Sequence, residues 1–184
     1  QCGVTIQANL MDLAIDYLRR GQIKHALRAL FNNFGQQLYP EVRVFTEHPV
    51  VELGHGVGPF YKTSDESKSL IWLRSCLLWE EGEDLHLAPA APRAWFEPGQ
   101  SFGLERMATF FEPVSYRVEA GESEVRVRVD VPGRRPPKEL VVHLRRAGLK
   151  AVTVNGQAHA DFDPVAETVT VSAPAGRLEI RVEY

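Results

Sequence analysis

Cysteine is scarce in this chain of 184 residues: Cys2 and Cys76 are the only two. One sits at the extreme terminus and the other in an apolar stretch, so two free or buried thiols are expected rather than a disulfide framework. No Cys-x-x-Cys and no His-x-x-x-His occurs, which removes the usual spacings of a zinc site. Net charge is only -3, too weak a field to recruit nucleic acid or an anionic membrane surface. No apolar run approaches the roughly 18 residues of a membrane-spanning helix. Internal repeats and low-complexity tracts are also missing. No secretory leader is visible, but the chain opens on Gln1-Cys2-Gly3 without an initiator methionine. That start is expected of a trimmed piece or a fragment of a longer protein, and it leaves the compartment undecided.

What is present is an ordinary soluble composition, 44% hydrophobic and 24% charged, enough for one large domain or two small ones. Leu10, Leu13, Ala14, Tyr17 and Leu18 mark one face of a first helix, stopped by Arg19-Arg20-Gly21. Ile23, Ala26, Leu27, Leu30, Phe31 and Phe34 form the face of a second, ending near Gly35. So short a connection demands an antiparallel helical hairpin. A third helix opens at Thr63, which with Glu66 makes a capping box, and continues through Leu70, Leu73, Leu77 and Leu78. Trp72 and Trp79 share its face by spacing. One hairpin plus one helix makes a thin core, so helical partners are expected to come from missing chain or from another copy.

The periodicity changes after the acidic turn Glu80 to Asp84. From Leu85 onward it is two: Val125, Val127, Val129 and Val131 alternate with Arg126, Arg128 and Asp130. Asn155-Gly156 is a hairpin signal, and Leu178, Ile180 and Val182 alternate with Glu179 and Arg181. This pattern predicts an antiparallel β-sandwich. The fold class is therefore α+β: a helical segment over residues 1–83, a hairpin plus one helix, and a sandwich over residues 84–184. Pro92-Arg93-Ala94-Trp95 is expected as a wedge between the two.

Between the helices lies an aperiodic stretch from Tyr39 to Lys62, with a short strand at Val42 to Phe45 and otherwise a long loop of the functional or partner-contacting kind. It carries Glu47, His48, Glu52 and His55, residue types able to serve as acid, base or nucleophile, although such side chains in polar loops are mostly just solvated. Glu47 follows apolar Val44-Phe45 and precedes Pro49, which would hold an acid at the rim of an apolar cavity that raises its pKa. The run Gly54-x-Gly56-x-Gly58 is followed at once by Pro59 and lacks a phosphate-cradle spacing, so no nucleotide cofactor is expected. The aromatic set Phe60, Tyr61, Trp72, Trp79, Trp95 and Phe96 could stack on sugar rings, but core packing explains it as well. The Arg134-Arg135-Pro136-Pro137-Lys138 cluster reads as a solvated turn.

Tyr61-Lys62-Thr63-Ser64-Asp65-Glu66, followed by Leu73-Arg74, Leu77-Leu78 and Glu80, resembles the carboxy-terminal part of bacterial six-hairpin glycosidase-like proteins. Leu85-His-Leu-Ala-Pro, Pro92-Arg-Ala-Trp95, Phe110 to Tyr116, Val152 to Gly156 and Leu178 to Tyr184 extend the resemblance over most of the chain. It implies the end of an (α/α)6 toroid running into a β-sandwich, with the remaining hairpins and a second carboxylate upstream, so that the isolated chain is expected to be inactive. On this resemblance the protein is part of a glycoside hydrolase without cofactor or metal, with carbohydrate as partner. Glu47 is its catalytic or substrate-binding carboxylate, and His48, His55, Tyr61 and Lys62 line the mouth. Toroid-plus-sandwich polysaccharide lyases share the layout and would shift the weight to Tyr61 with His48 or His55. A non-catalytic structural or glycan-binding module is the third reading.

Overall fold

A left-handed glycine ends the first helix. In the computed structural model, which describes residues 12–39, 44–50, 55–60 and 63–184, α1 spans Leu13–Arg19. Gly21 takes φ 67°. Its N–H donates to the Leu18 carbonyl at 2.9 Å, and the Gln22 N–H reaches the Tyr17 carbonyl at 2.8 Å. This pair of bonds is a Schellman closure, and it allows α2 to begin at Ile23. Helix α2 runs on to Gln37, past the stop expected at Gly35. Its buried residues, Ala26, Leu30, Asn33 and Gln37, form one stripe at helical spacing.

Within the stretch that lacks a period, the described residues form a small sheet rather than a loop. Strand β1 (Leu38–Tyr39) follows α2 directly and pairs with β2 (Val44–Val50), which pairs with β3 (His55–Phe60), all antiparallel. Glycine and proline in β3 hide it from a propensity reading, since both are poor strand formers. Edge position makes them tolerable. Thr46 pairs with Phe60 and His48 with Val57, so Glu47 alone opposes Gly58 and Pro59 in a β-bulge.

Helix α3 spans Thr63–Leu77. Glu66, expected to close a capping box, accepts the Phe45 N–H at 3.4 Å and ties β2 to the helix. The leucine spacing does not mark the buried side. Asp65, Ser69, Trp72 and Cys76 are buried, while Leu70 and Ile71 remain 63% and 50% exposed.

The chain divides into two compact units, Gln1–Cys76 and Leu77–Tyr184. Strand β4 (Leu78–Glu81) follows α3 with no linker and turns through Gly82 into β5 (Asp84–Leu87). The seam expected near residue 83 thus falls inside a β-hairpin. Trp79 sits on β4 opposite His86, not on α3, because the Leu77-Leu78 pair that looks helical is the point where strand pairing starts. The Leu77 carbonyl accepts both the Tyr116 hydroxyl at 2.8 Å and the Ala88 N–H at 2.7 Å. Burial pushes the Tyr116 phenol upward, which keeps it a donor.

The second unit is the antiparallel sandwich. Its six-stranded sheet contains β6 (Ser101–Met107), β7 (Val114–Ala120), β8 (Glu124–Val131), β10 (Ala151–Val154), β11 (Gln157–Ala158) and β14 (Gly176–Glu183), in the order β11-β10-β14-β8-β7-β6. The five-stranded sheet adds β9 (Glu139–His143), β12 (Phe162–Asp163) and β13 (Thr168–Ser172), in the order β12-β13-β9-β5-β4. One pair departs from the expected pattern: β5 and β9 are parallel, Leu85 beside Leu140. Parallel neighbours need a crossover, and here it carries β6, β7 and β8 through the other sheet. Inward residues Val125, Val127, Val129, Leu140, Val142, Val169, Ile180 and Val182 are all essentially sealed from water. Asn155 and Gly156, both at positive φ, make the β10–β11 turn that the sequence predicts. Trp95, in the short 3-10 turn Arg93–Phe96, packs inside this unit with its ring 5.4 Å from Phe102, which leaves the wedge reading without support.

Two glycine substitutions should move stability in opposite directions. A Cβ on Gly103 would lie 2.1 Å from the Tyr116 carbonyl oxygen, whereas one on Gly35 meets nothing within 4 Å. Gly103→Ala is expected to cost about 1–3 kcal/mol by overpacking. Gly35→Ala should gain roughly 0.5–1 kcal/mol of helix propensity. Urea titration checks both; equal and small effects would contradict the β6–β7 approach.

Candidate functional site

The expected site residues are distributed along the small sheet. Glu47 and His48 have their backbones in β2, and His55 begins β3, opposite Val50. Pairing therefore places the Glu47-His48 backbone beside residues 57–59, with the bulge at Glu47. Tyr61, Lys62 and Glu52 lie outside the described residues.

Facing stripes of α2 and α3 form a buried polar layer that the sequence reading missed. Asn33 Nδ2 donates to Ser69 Oγ at 2.7 Å. Among the described residues, Asn33 Oδ1, both amide atoms of Gln37 and Trp72 Nε1 find no hydrogen-bond partner, although Gln37 is 0% exposed. Each such orphan costs on the order of 1–3 kcal/mol. The signal was available, since positions 26, 30, 33 and 37 are a continuous helical stripe whose last two members are amides. Cys76 is inert there: burial pushes its thiol up to about 12, so no thiolate is present at neutral pH.

In the sandwich, strand pairing assembles a second cluster. His86 of β5 lies beside Val141 of β9, and His143 is two residues further along, so both imidazoles share the face opposite Leu85, Leu87 and Val142. Their nitrogens, His86 Nδ1 and His143 Nε2, are 3.1 Å apart. His86 Nε2 lies 3.8 Å from Glu81 Oε2. A proton on His86 Nε2, toward that carboxylate, leaves Nδ1 as acceptor and makes His143 Nε2–H the donor. Burial lowers the His86 pKa despite Glu81, Asp84 and Glu139 nearby. Burial first, then His86 and Arg145, push His143 down to about 3. The pair is thus a neutral, proton-sharing couple at pH 7. Nothing in Leu85-His86-Leu87 or Val142-His143-Leu144 announces it, because it depends on the parallel β5–β9 pairing.

Chemically, the pair can sense acid. The carboxylates whose pKa is displaced, Asp163 and Glu179, are lowered, by backbone N–H groups of Ala166 and Val165 and by Arg181 respectively, which is the wrong direction for a general acid. Among the described residues no group of three or more His, Cys, Asp or Glu side chains could hold a metal, and no helix is long and apolar enough to cross a membrane.

Fold and clusters together define an α+β protein whose second unit is a sealed sandwich carrying a neutral imidazole couple. Compared with protein-family models and with curated proteins, the sequence matches none.

The couple sets a pH dependence. Unfolded imidazoles titrate near ~6.5, and both folded values lie below that. The unfolded chain therefore binds more protons as pH falls below about 6.5, and stability is lost toward acid, by up to about 1.4 kcal/mol per pH unit for His143, with His86 adding in the same direction. Urea midpoints at several values between roughly pH 7 and pH 5, above the ordinary carboxylate range, measure this. His143→Gln is expected to flatten the slope; an unchanged slope would dismiss the couple as its source.

Proposed function

We propose that this chain is the carboxy-terminal region of a carbohydrate-active enzyme, a glycoside hydrolase, in which the sandwich braces a helical catalytic part. The resemblance to six-hairpin glycosidase-like proteins supplies the reaction class. One structural observation supports the incomplete helical part: Leu70, Ile71 and Phe31 are half or more exposed while polar Asn33, Gln37, Asp65 and Ser69 are buried in the same helices. Apolar helix faces of that kind need further hairpins, or a second copy, to cover them.

In this reading Glu47 is the acid/base or substrate-binding carboxylate, and His48, His55, Tyr61 and Lys62 approach the sugar. The β3 bulge opposite Glu47 fits such a role, since bulges are over-represented next to active sites. Carbohydrate is the ligand, and no cofactor enters the scheme.

The test uses the full gene product that contains this chain, assayed on a polysaccharide panel for new reducing ends and for new ultraviolet absorbance. Reducing ends without absorbance are expected, and Glu47→Gln should lower the rate roughly 10²–10⁴-fold. Absorbing, unsaturated ends would replace hydrolase by lyase. An inactive gene product, or full activity in Glu47→Gln, would overturn the proposal.

A further inference from the structure

Three arginines converge on one cavity in the sandwich unit. It has a volume of about 260 Å³ and is lined by Arg93, Arg145 and Arg146 together with Phe96, Glu97 and Pro98. Each guanidinium is held differently. Arg93 forks onto both oxygens of buried Glu167, at 2.9 and 2.8 Å, and also donates to the Arg145 carbonyl at 2.9 Å. That ion pair consumes the Glu167 carboxylate. Arg146 donates to the carbonyls of Gly121 and Glu122, at 2.8 and 2.6 Å, and lies 4.3 Å over the Tyr184 ring. Those contacts fix its position but leave its charge uncompensated.

Arg145 is the odd member. It is half-buried, at φ 46°, and its Nε–H is buried with no hydrogen-bond partner. Burial and the neighbouring Arg93 disfavour its charge, and Glu167 only partly offsets them. Three positive groups thus line the cavity with one carboxylate, Glu97, while Glu167 is engaged by Arg93. A partly desolvated guanidinium is costly, and an oxyanion beside it offsets that cost.

We propose that this cavity is an anion-binding site that takes a carboxylate-bearing ligand through Arg145, with Arg146 and Arg93 supplying the field. The fork of a guanidinium matches the two oxygens of a carboxylate. Resting on the carbohydrate reading above, the ligand class is an acidic sugar, a uronate unit.

The full chain is titrated with sodium glucuronate at constant ionic strength, with glucose and sodium chloride as controls, by calorimetry. Saturable binding of glucuronate alone is expected, weakened roughly tenfold or more by Arg145→Gln and less by Arg145→Lys. Arg177→Gln, at a surface ion pair with Asp130 elsewhere in the sandwich, should leave it unchanged. Melting curves confirm that each variant folds. Absence of saturable binding, equal binding of glucose, or binding indifferent to Arg145→Gln would overturn the proposal. Cleavage of a neutral glycan by a gene product that ignores glucuronate would sink the anion site and leave the hydrolase reading intact.

Discussion

The seal between the two sheets governs this molecule. Val125, Val127 and Val129 on β8 and Ile180 and Val182 on β14 belong to one buried cluster with Leu85, Leu87, Leu140 and Val142 of the other sheet. A fully buried aliphatic side chain contributes on the order of 1.5–3 kcal/mol, and this unit has many of them. Alternation then forces every second residue outward, which is why the outer face of the six-stranded sheet is a ladder of ion pairs such as Arg128 with Glu119 and Arg177 with Asp130. Exposed pairs of this type add little stability and mainly keep the surface wet. The same alternation puts His86 and His143 on one outward face, so the imidazole couple is a by-product of the core.

The amino-terminal unit has the opposite character. Its helices bury Asn33, Gln37, Asp65 and Ser69 along with Leu30 and Trp72, and leave Phe31, Leu70 and Ile71 in water. A buried amide without partners subtracts from stability instead of adding to it. The outward leucine and isoleucine gain nothing from folding of this unit alone. Both departures leave the helices of this unit with a weaker apolar core than the sandwich has.

Legibility followed the strength of the period. Strands such as Val125 to Val131, the Asn155-Gly156 turn and the Arg19-Arg20-Gly21 stop could be read from residues alone, because each rests on local geometry. The β1–β3 sheet could not, since β3 is glycine- and proline-rich. Trp79 was misread for a related reason: a Leu-Leu pair fits a helix and a strand equally well. The histidine couple and the arginine cavity depend on which strands become neighbours across the β5–β9 crossover and the β9–β10 connection, and no spacing in one sequence encodes that. Glu47 and His48 could be singled out by residue type, but the bulge beneath them appeared only with the pairing register.

Cohesion resides in the sandwich, and the helical unit is weakly cored. Native-state hydrogen exchange on the intact chain tests it most directly. Amides of β8, β9, β13 and β14 should exchange last and together, near the global unfolding free energy, while those of α2 and α3 open earlier in a separate cooperative step. Helical amides as protected as those of β8, exchanging with them in one event, would contradict the account.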